Sequence, residues 1–247
     1  MAGKKVHIGT SGWHYEHWSG SFYPADLPKG RFLEYYQQFF DTAELNNSFY
    51  QLPSEKSLAT WRDAVPDDFI FAVKGSRYTT HMKKLKDPKK STDKLFDRIS
   101  ALSPRLGPVL FQLPPKWGFN GERLEEFLDN MPADFRLAFE FRDQSWYNET
   151  TYKLLKDHNV AFCIYELDGH QSPLEVTADF VYVRLHGPEG PYEGSYSKKA
   201  ISGWAEKIKA WREKGKEVYC YFDNDENGYA ANNSFELLKL VEGKSEK

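Results

Sequence analysis

Glu140 and Arg142 stand two apart in the run Leu137-Ala138-Phe139-Glu140-Phe141-Arg142, with Leu137, Phe139 and Phe141 on the opposite parity. In an extended strand that spacing projects both charges from one face and the aromatic and aliphatic groups from the other. The pattern recurs. Val181-Tyr182-Val183-Arg184-Leu185-His186 sends Val181, Val183 and Leu185 to one side and Tyr182, Arg184 and His186 to the other. Glu44 with Asn46, Lys74, Gln112, Tyr165 and Asp223 likewise fall at or near the C-terminal ends of strand-like runs. The chemistry open to such a set is acid–base work on an anion. Lys74, Arg142 and Arg184 would hold the negative group, with Asn46, Gln112 and Asn224 as polar substrate contacts, while Glu140 and His186 move protons and Glu44 and Asp223 orient them. Lys74, if desolvated, is also a candidate base or Schiff-base amine. Isomerase, lyase and hydrolase reactions all fit.

Two other readings use the same residues. Glu44, Glu140, His186 and Asp223 supply the oxygen and imidazole ligands a divalent cation would accept, so a bound metal remains open beside neutralisation by the protein's own cations. Alternatively Glu140 and Arg142 form an inert ion pair, and the polar set is a plug or a ligand-binding site without catalysis. Asp223-Asn224-Asp225-Glu226-Asn227-Gly228 imitates the start of a calcium loop. Its twelfth position, however, is Ser234 where a bidentate Glu is required. His14-Tyr15-Glu16-His17 lacks the five-residue spacing of a zinc-protease helix. Trp13, Tyr15 and Trp18 read as a stacking or lid surface after the first strand, with plain loop packing as the other outcome.

Elements that could gather these side chains follow from periodicity. Strand-like runs start near Val6, Thr42, Phe69, Pro108, Arg136, Val160, Phe180 and Glu217, and helical spacing fills most intervals. The clearest helix runs from about Lys198 to Lys214, with Ile201, Trp204, Ile208 and Trp211 on one stripe and Gly215 after it. Further stripes are Leu58 and Trp61; Leu95, Ile99 and Leu102; Leu124, Phe127 and Leu128; and Phe235, Leu238 and Val241. Strand alternating with helix eight times predicts an α/β fold, a single (β/α)8 TIM-type barrel over residues 1–247, with the polar strand ends at its C-terminal mouth. Between the sixth and seventh strands, Leu167 to Asp179 leaves room for little more than two helical turns, so that crossover is abbreviated. No glycine-rich dinucleotide fingerprint follows any strand.

Composition bounds the rest. With 40% hydrophobic and 16% aromatic residues, the chain has a core without needing disulfides. Cys163 and Cys220 sit inside apolar runs and read as buried thiols, which a reducing cytoplasm suits. No apolar segment approaches the ~20 residues of a membrane helix, and Met1-Ala2-Gly3-Lys4-Lys5 gives no export signal. The net charge of −3 argues against wholesale coating of nucleic acid. Arg77, Lys83, Lys84, Lys86, Lys89 and Lys90 nevertheless crowd one stretch where phosphates could bind, the alternative being a nucleic-acid-binding or phosphodiester-cleaving protein like a barrel-type repair endonuclease.

Several of these runs together resemble the YecE-like family, domain of unknown function 72. They are Gly9-Thr10-Ser11-Gly12-Trp13 with Tyr15 and Trp18; Glu44-Leu45-Asn46-Asn47-Ser48-Phe49-Tyr50; Phe71-Ala72-Val73-Lys74 with Thr80-His81; Leu110-Phe111-Gln112-Leu113-Pro114-Pro115; Phe139-Glu140-Phe141-Arg142 with Ser145-Trp146; Arg184-Leu185-His186-Gly187; and Tyr221-Phe222-Asp223-Asn224 through Ala230 and Asn232. The resemblance spans nearly every strand end and implies a TIM-type barrel. It brings no established reaction with it.

Overall fold

The computed structural model describes residues 5–243; the polar start Met1 to Lys4 lies outside them. Each expected strand is present: β1 Val6–Thr10, β2 Thr42–Leu45, β3 Ile70–Lys74, β4 Leu106–Gln112, β5 Leu137–Glu140, β6 Ala161–Leu167, β8 Phe180–Leu185 and β9 Glu217–Phe222. The sheet order is β1-β9-β8-β6-β5-β4-β3-β2, and a parallel bridge between Ser11 and Glu44 joins its two ends. Among the described residues seven α-helices accompany the strands: α1 Phe32–Tyr36, α2 Glu55–Asp63, α3 Pro88–Ile99, α4 Gly121–Asp129, α5 Glu149–Asp157, α6 Lys198–Glu213 and α7 Tyr229–Glu242. This is the TIM-type (β/α)8 arrangement. No helix among the described residues is long and apolar enough to cross a membrane.

By internal packing the chain falls into two compact units, each discontinuous in sequence. One holds Met1–Glu44, Ile164–Ser172 and Phe180–Lys247; the other holds Leu45–Cys163 and Pro173–Asp179. In the first, β1 pairs with β9 from Val6↔Val218 to Thr10↔Phe222, and β9 with β8 from Phe180↔Glu217 to Leu185↔Phe222. In the second, β4 pairs with β5 through Gln112↔Glu140.

Local chemistry starts the helices. Side chains of Ser54, Asn120, Asn148 and Ser197 accept from the backbone N–H three residues on, at 3.0, 2.9, 3.0 and 3.2 Å, satisfying donors that have no intrahelical partner. On α6 the expected stripe of Ile201, Trp204, Ile208 and Trp211 is buried. On α7 the stripe is rotated. Phe235 is exposed and the buried face is Ala230, Asn233, Ser234, Leu237 and Val241, because small residues let the helix approach β1, where Ser234 Oγ donates to Gly9 O at 2.9 Å.

The abbreviated crossover contains no helix. Asp168 and Gly169 both take positive φ, 50° and 71°, and turn the chain into a two-residue strand, β7 His170–Gln171, antiparallel to β6. An Asp-Gly pair with left-handed backbone at both positions is the favoured tight hairpin turn. Beyond it, side chains replace ladder partners. Ser172 Oγ accepts from Tyr165 N at 2.9 Å, and Thr177 Oγ1 accepts from Phe162 N at 2.7 Å.

At the N-terminal end of β1, His7 is buried between two carboxylates, Nδ1 at 3.1 Å from Asp41 and Nε2 at 3.2 Å from Glu217, and its ring stacks on Tyr219 at 4.9 Å. Burial alone would lower its pKa, but the hydrogen bonds and charges of Asp41 and Glu217 raise it to about 9. A raised pKa stabilises the fold fully below the unfolded value near 6.5, and that contribution disappears as pH climbs through 9. Thermal unfolding between pH 6 and 10 should therefore show stability falling by roughly 3 kcal/mol across this window. His7→Gln should flatten the curve; an equally steep curve in the variant would assign the loss to other groups.

Candidate functional site

β8 carries Tyr182 and Arg184 on one parity, and both reach Glu44 on β2. Tyr182 donates to Glu44 Oε2 at 2.7 Å, and Arg184 donates to Oε1 through Nη2 at 2.7 Å and Nε at 3.2 Å. Ser11, just past β1, also donates to Oε1 through its hydroxyl. Burial and then the Glu44 charge hold the Tyr182 phenol well above its usual range, so it stays a donor. Arg184 Nη2 extends further, to Ser11 Oγ at 3.0 Å and to Asp223 Oδ2 at 2.9 Å at the end of β9. Glu44 and Arg184 are fully buried, and Asp223 is 5% exposed. Two buried carboxylates thus share one guanidinium, whose fork geometry permits both contacts.

His186 follows β8 and completes the network. Its Nδ1 lies 3.0 Å from Asp223 Oδ2 and its Nε2 3.3 Å from Arg184 Nη1. A guanidinium only donates, so Nε2 is the acceptor and Nδ1 carries the proton given to Asp223. Tyr165 and Tyr192 close on the imidazole edge-on, with centroids at 6.1 and 5.7 Å. The loop after His186 is held against it. Gly187 has φ 117° and lies so near Glu193 that a Cβ would come within 2.4 Å of its carbonyl oxygen, which only glycine avoids. Tyr192 takes φ 71°, a left-handed backbone rarely adopted by an aromatic residue, and donates its N–H to His186 O at 2.6 Å.

In the second unit, Glu140 at the end of β5 is fully buried and accepts from Arg142 Nε, while the Cys163 thiol lies 3.8 Å from Glu140 Oε2. Lys74, at the end of β3, is 8% exposed with its ammonium 4.7 Å above the Phe49 ring. Asn46 and Gln112 are partly exposed at their strand ends. Both cysteines are buried and neither is in a disulfide.

Several expectations are revised by this geometry. Arg184 is engaged by Glu44 and Asp223, so it cannot clamp an external anion without giving up those pairs. No group of three or more His, Cys, Asp or Glu side chains that could hold a metal ion occurs among the described residues. The physical reason is that Arg184 already supplies the positive charge between Glu44 and Asp223. Asn224 is buried and ties down the loop after His186: its Nδ2 donates to Gly194 O at 2.8 Å and to Asn233 Oδ1 at 3.0 Å. Trp13 and Trp18 are buried and offer no stacking face, whereas Tyr15 is partly exposed and spends its hydroxyl on Ser11 O at 2.6 Å. Ser11 and Tyr182 are site residues that charge-based reading passes over. Their signals were a small-residue turn after β1 and the shared parity with Arg184. In the basic stretch, Arg77, Lys84, Lys86, Lys89 and Lys90 are exposed, but Lys83 is paired with Asp87 at 2.9 Å.

One relative matches nearly the whole chain and another about half of it. The Bacillus subtilis UPF0759 protein YunF is 27% identical over 272 aligned positions, covering 96% of this chain and 95% of that protein. Escherichia coli K12 YecE, also a UPF0759 protein, is 31% identical over 116 residues, 47% of this chain and 43% of its own. A DUF72 family protein from Thermotoga maritima MSB8 has a crystal structure that superposes with a TM-score of 0.87 at 33% identity, covering 96% of this chain and 99% of that one. One from Enterococcus faecalis V583 reaches 0.72 at 20% identity over 98% and 99%, which speaks for the fold alone. Residues 7–247 match the family described as Protein of unknown function DUF72, and the chain belongs to that family.

Proposed function

We propose that the chain is an enzyme that works by acid–base chemistry on a small anionic substrate, phosphorylated or sugar-like, at the C-terminal strand ends. The observation that carries this reading is the wiring of His186: Nδ1 faces Asp223 at 3.0 Å while Nε2 faces Arg184 at 3.3 Å. Asp223 fixes the tautomer, and Arg184 holds Nε2 in its proton-accepting form. With two carboxylates and one guanidinium, the network carries a local charge of −1 while His186 is neutral, and a proton arriving on His186 cancels it. Tyr192 covers the imidazole from the partly exposed loop. Within the second unit, Lys74 and Arg142 are proposed to contact anionic groups, and Glu140, paired with Arg142, to exchange protons.

The test is a panel of sugar phosphates, other anionic metabolites and a single-stranded oligonucleotide, screened by thermal shift and by product analysis with the wild-type chain and His186→Asn. The expected result is an anionic metabolite that raises the melting temperature of both proteins and is turned over by the wild type alone. Equal turnover by the variant would end the proposal. Stabilisation by the oligonucleotide with no response to the metabolites would move the assignment to the basic stretch around Arg77 and Lys84.

A further inference from the structure

The end of β3 and the turn after β2 meet within the second unit. Ser48 Oγ donates to Lys74 O at 2.6 Å and lies 3.0 Å from Leu45 O, so the 3-10 turn Asn47–Phe49 is fixed to the strand that carries Lys74. That turn places the Phe49 ring under the ammonium of Lys74 at 4.7 Å, and the same ring meets His81 at 5.2 Å nearly perpendicular. His81 lies on a five-residue π-helical turn, Tyr78–Met82, a rare geometry that is frequent at functional sites. Its Nδ1 is 2.9 Å from Thr80 Oγ1, which orients the ring and commits that nitrogen, so the opposite nitrogen is the one available to a ligand. Arg77 precedes the turn and is exposed, with a side chain long enough to fold over a ligand.

The sequence of this corner is basic. Between Asp68 and Asp93 the sequence contains a single acid, Asp87, and it is paired with Lys83 at 2.9 Å. Burial lowers the pKa of His81, and the charges of Arg77 and Lys74 lower it further; no carboxylate acts against them. Lys74 and His81 meet on the Phe49 ring and the charge of Arg77 acts on His81, a grouping that suits a compact, multiply charged oxyanion. Such a group accepts several charge-assisted hydrogen bonds at once, which a carboxylate or a neutral hydroxyl does less well.

We propose that Lys74, Arg77 and His81, seated on Phe49, form a subsite for the phosphoryl group of a small phosphorylated ligand. This deepens the anion-binding part of the proposed function and is independent of the acid–base roles of His186 and Asp223. In the bound state the ammonium and guanidinium hold two phosphoryl oxygens and protonated His81 donates to the third, so binding strengthens as pH falls.

The experiment is an NMR titration of the histidine ring protons in the full chain, in inorganic phosphate and in chloride at matched ionic strength. Phosphate should raise the midpoint of His81 by about 1 pH unit, as an adjacent anion does. His158, whose Nε2 is engaged by Asp129 at 2.9 Å, should not move. Lys74→Met and Arg77→Gln should each weaken phosphate binding about tenfold, the loss of one charge-assisted hydrogen bond. Arg77 is exposed, so its variant keeps the test decisive if Lys74→Met folds poorly. A sugar monophosphate should bind at least as tightly as phosphate. An unmoved His81, an equal shift of His158, unchanged affinity in Arg77→Gln, or binding of an oligonucleotide without any binding of phosphate would each overturn the subsite. His186→Asn should leave phosphate binding here unchanged, so failure of the acid–base reading is distinguishable from failure of this one.

Discussion

Replacing Arg184 with methionine should lower the free energy of unfolding by about 3–5 kcal/mol, because it leaves Glu44 and Asp223 buried without their shared cation. The side chain is fully buried, so solvent cannot screen what it leaves behind. Arg184→Met/Glu44→Gln should recover part of the loss, since a neutral amide needs no counter-charge. Tyr182→Phe removes only one neutral donor from Glu44 and should cost closer to 1–2 kcal/mol. Urea unfolding of these variants provides the comparison, and the double variant isolates the coupling between Arg184 and Glu44. If Arg184→Met stays within about 1 kcal/mol of the wild type, the network is not an energetic keystone of the first unit.

The largest expected kinetic effect belongs to Asp223. With asparagine in its place, the acceptor that receives the His186 Nδ1 proton is weakened and the imidazole can present the wrong nitrogen to Arg184. Turnover of the substrate found by screening should fall by roughly 10²–10⁴, the range that positioned proton transfer supplies. His186→Asn should cause a loss of similar size, and the double variant should be no worse than either single one, because the two residues act as a unit. Multiplying losses would mean that they act separately, and the proposed relay would be wrong.

Much of the strand framework was legible in the sequence because period-two alternation is a local signal. The parity of Tyr182, Arg184 and His186 already implied that they share a face, and all three reach Glu44 or Asp223 as that parity requires. The roles of the charges were less legible. Sequence shows that Arg184 is cationic, but whether its guanidinium serves a substrate or its own carboxylates depends on the side chains of Glu44 and Asp223, which are distant in sequence. The burial of Trp13 and Asn224 was hidden for a related reason: polarity or aromaticity in a loop suggests contact with a ligand, while burial is decided by how the loop folds back. The β6–β7 hairpin was visible in the Asp168-Gly169 pair, but reading the interval as a helical crossover hid it. On α7, alanine and serine bear the contact, and a search for large apolar residues selects the wrong stripe.

The discontinuity of the first unit has a consequence for synthesis on the ribosome. Glu44 emerges early, whereas Arg184 follows about 140 residues later and α7, which packs on β1, ends about 200 residues after Glu44. At ~5–20 residues per second, that carboxylate waits on the order of 7–28 s before its cation is made, and about 10–40 s before α7 is complete. A nascent chain therefore never has to bury the acid ahead of the base, and closure of the first unit is timed by its final helix.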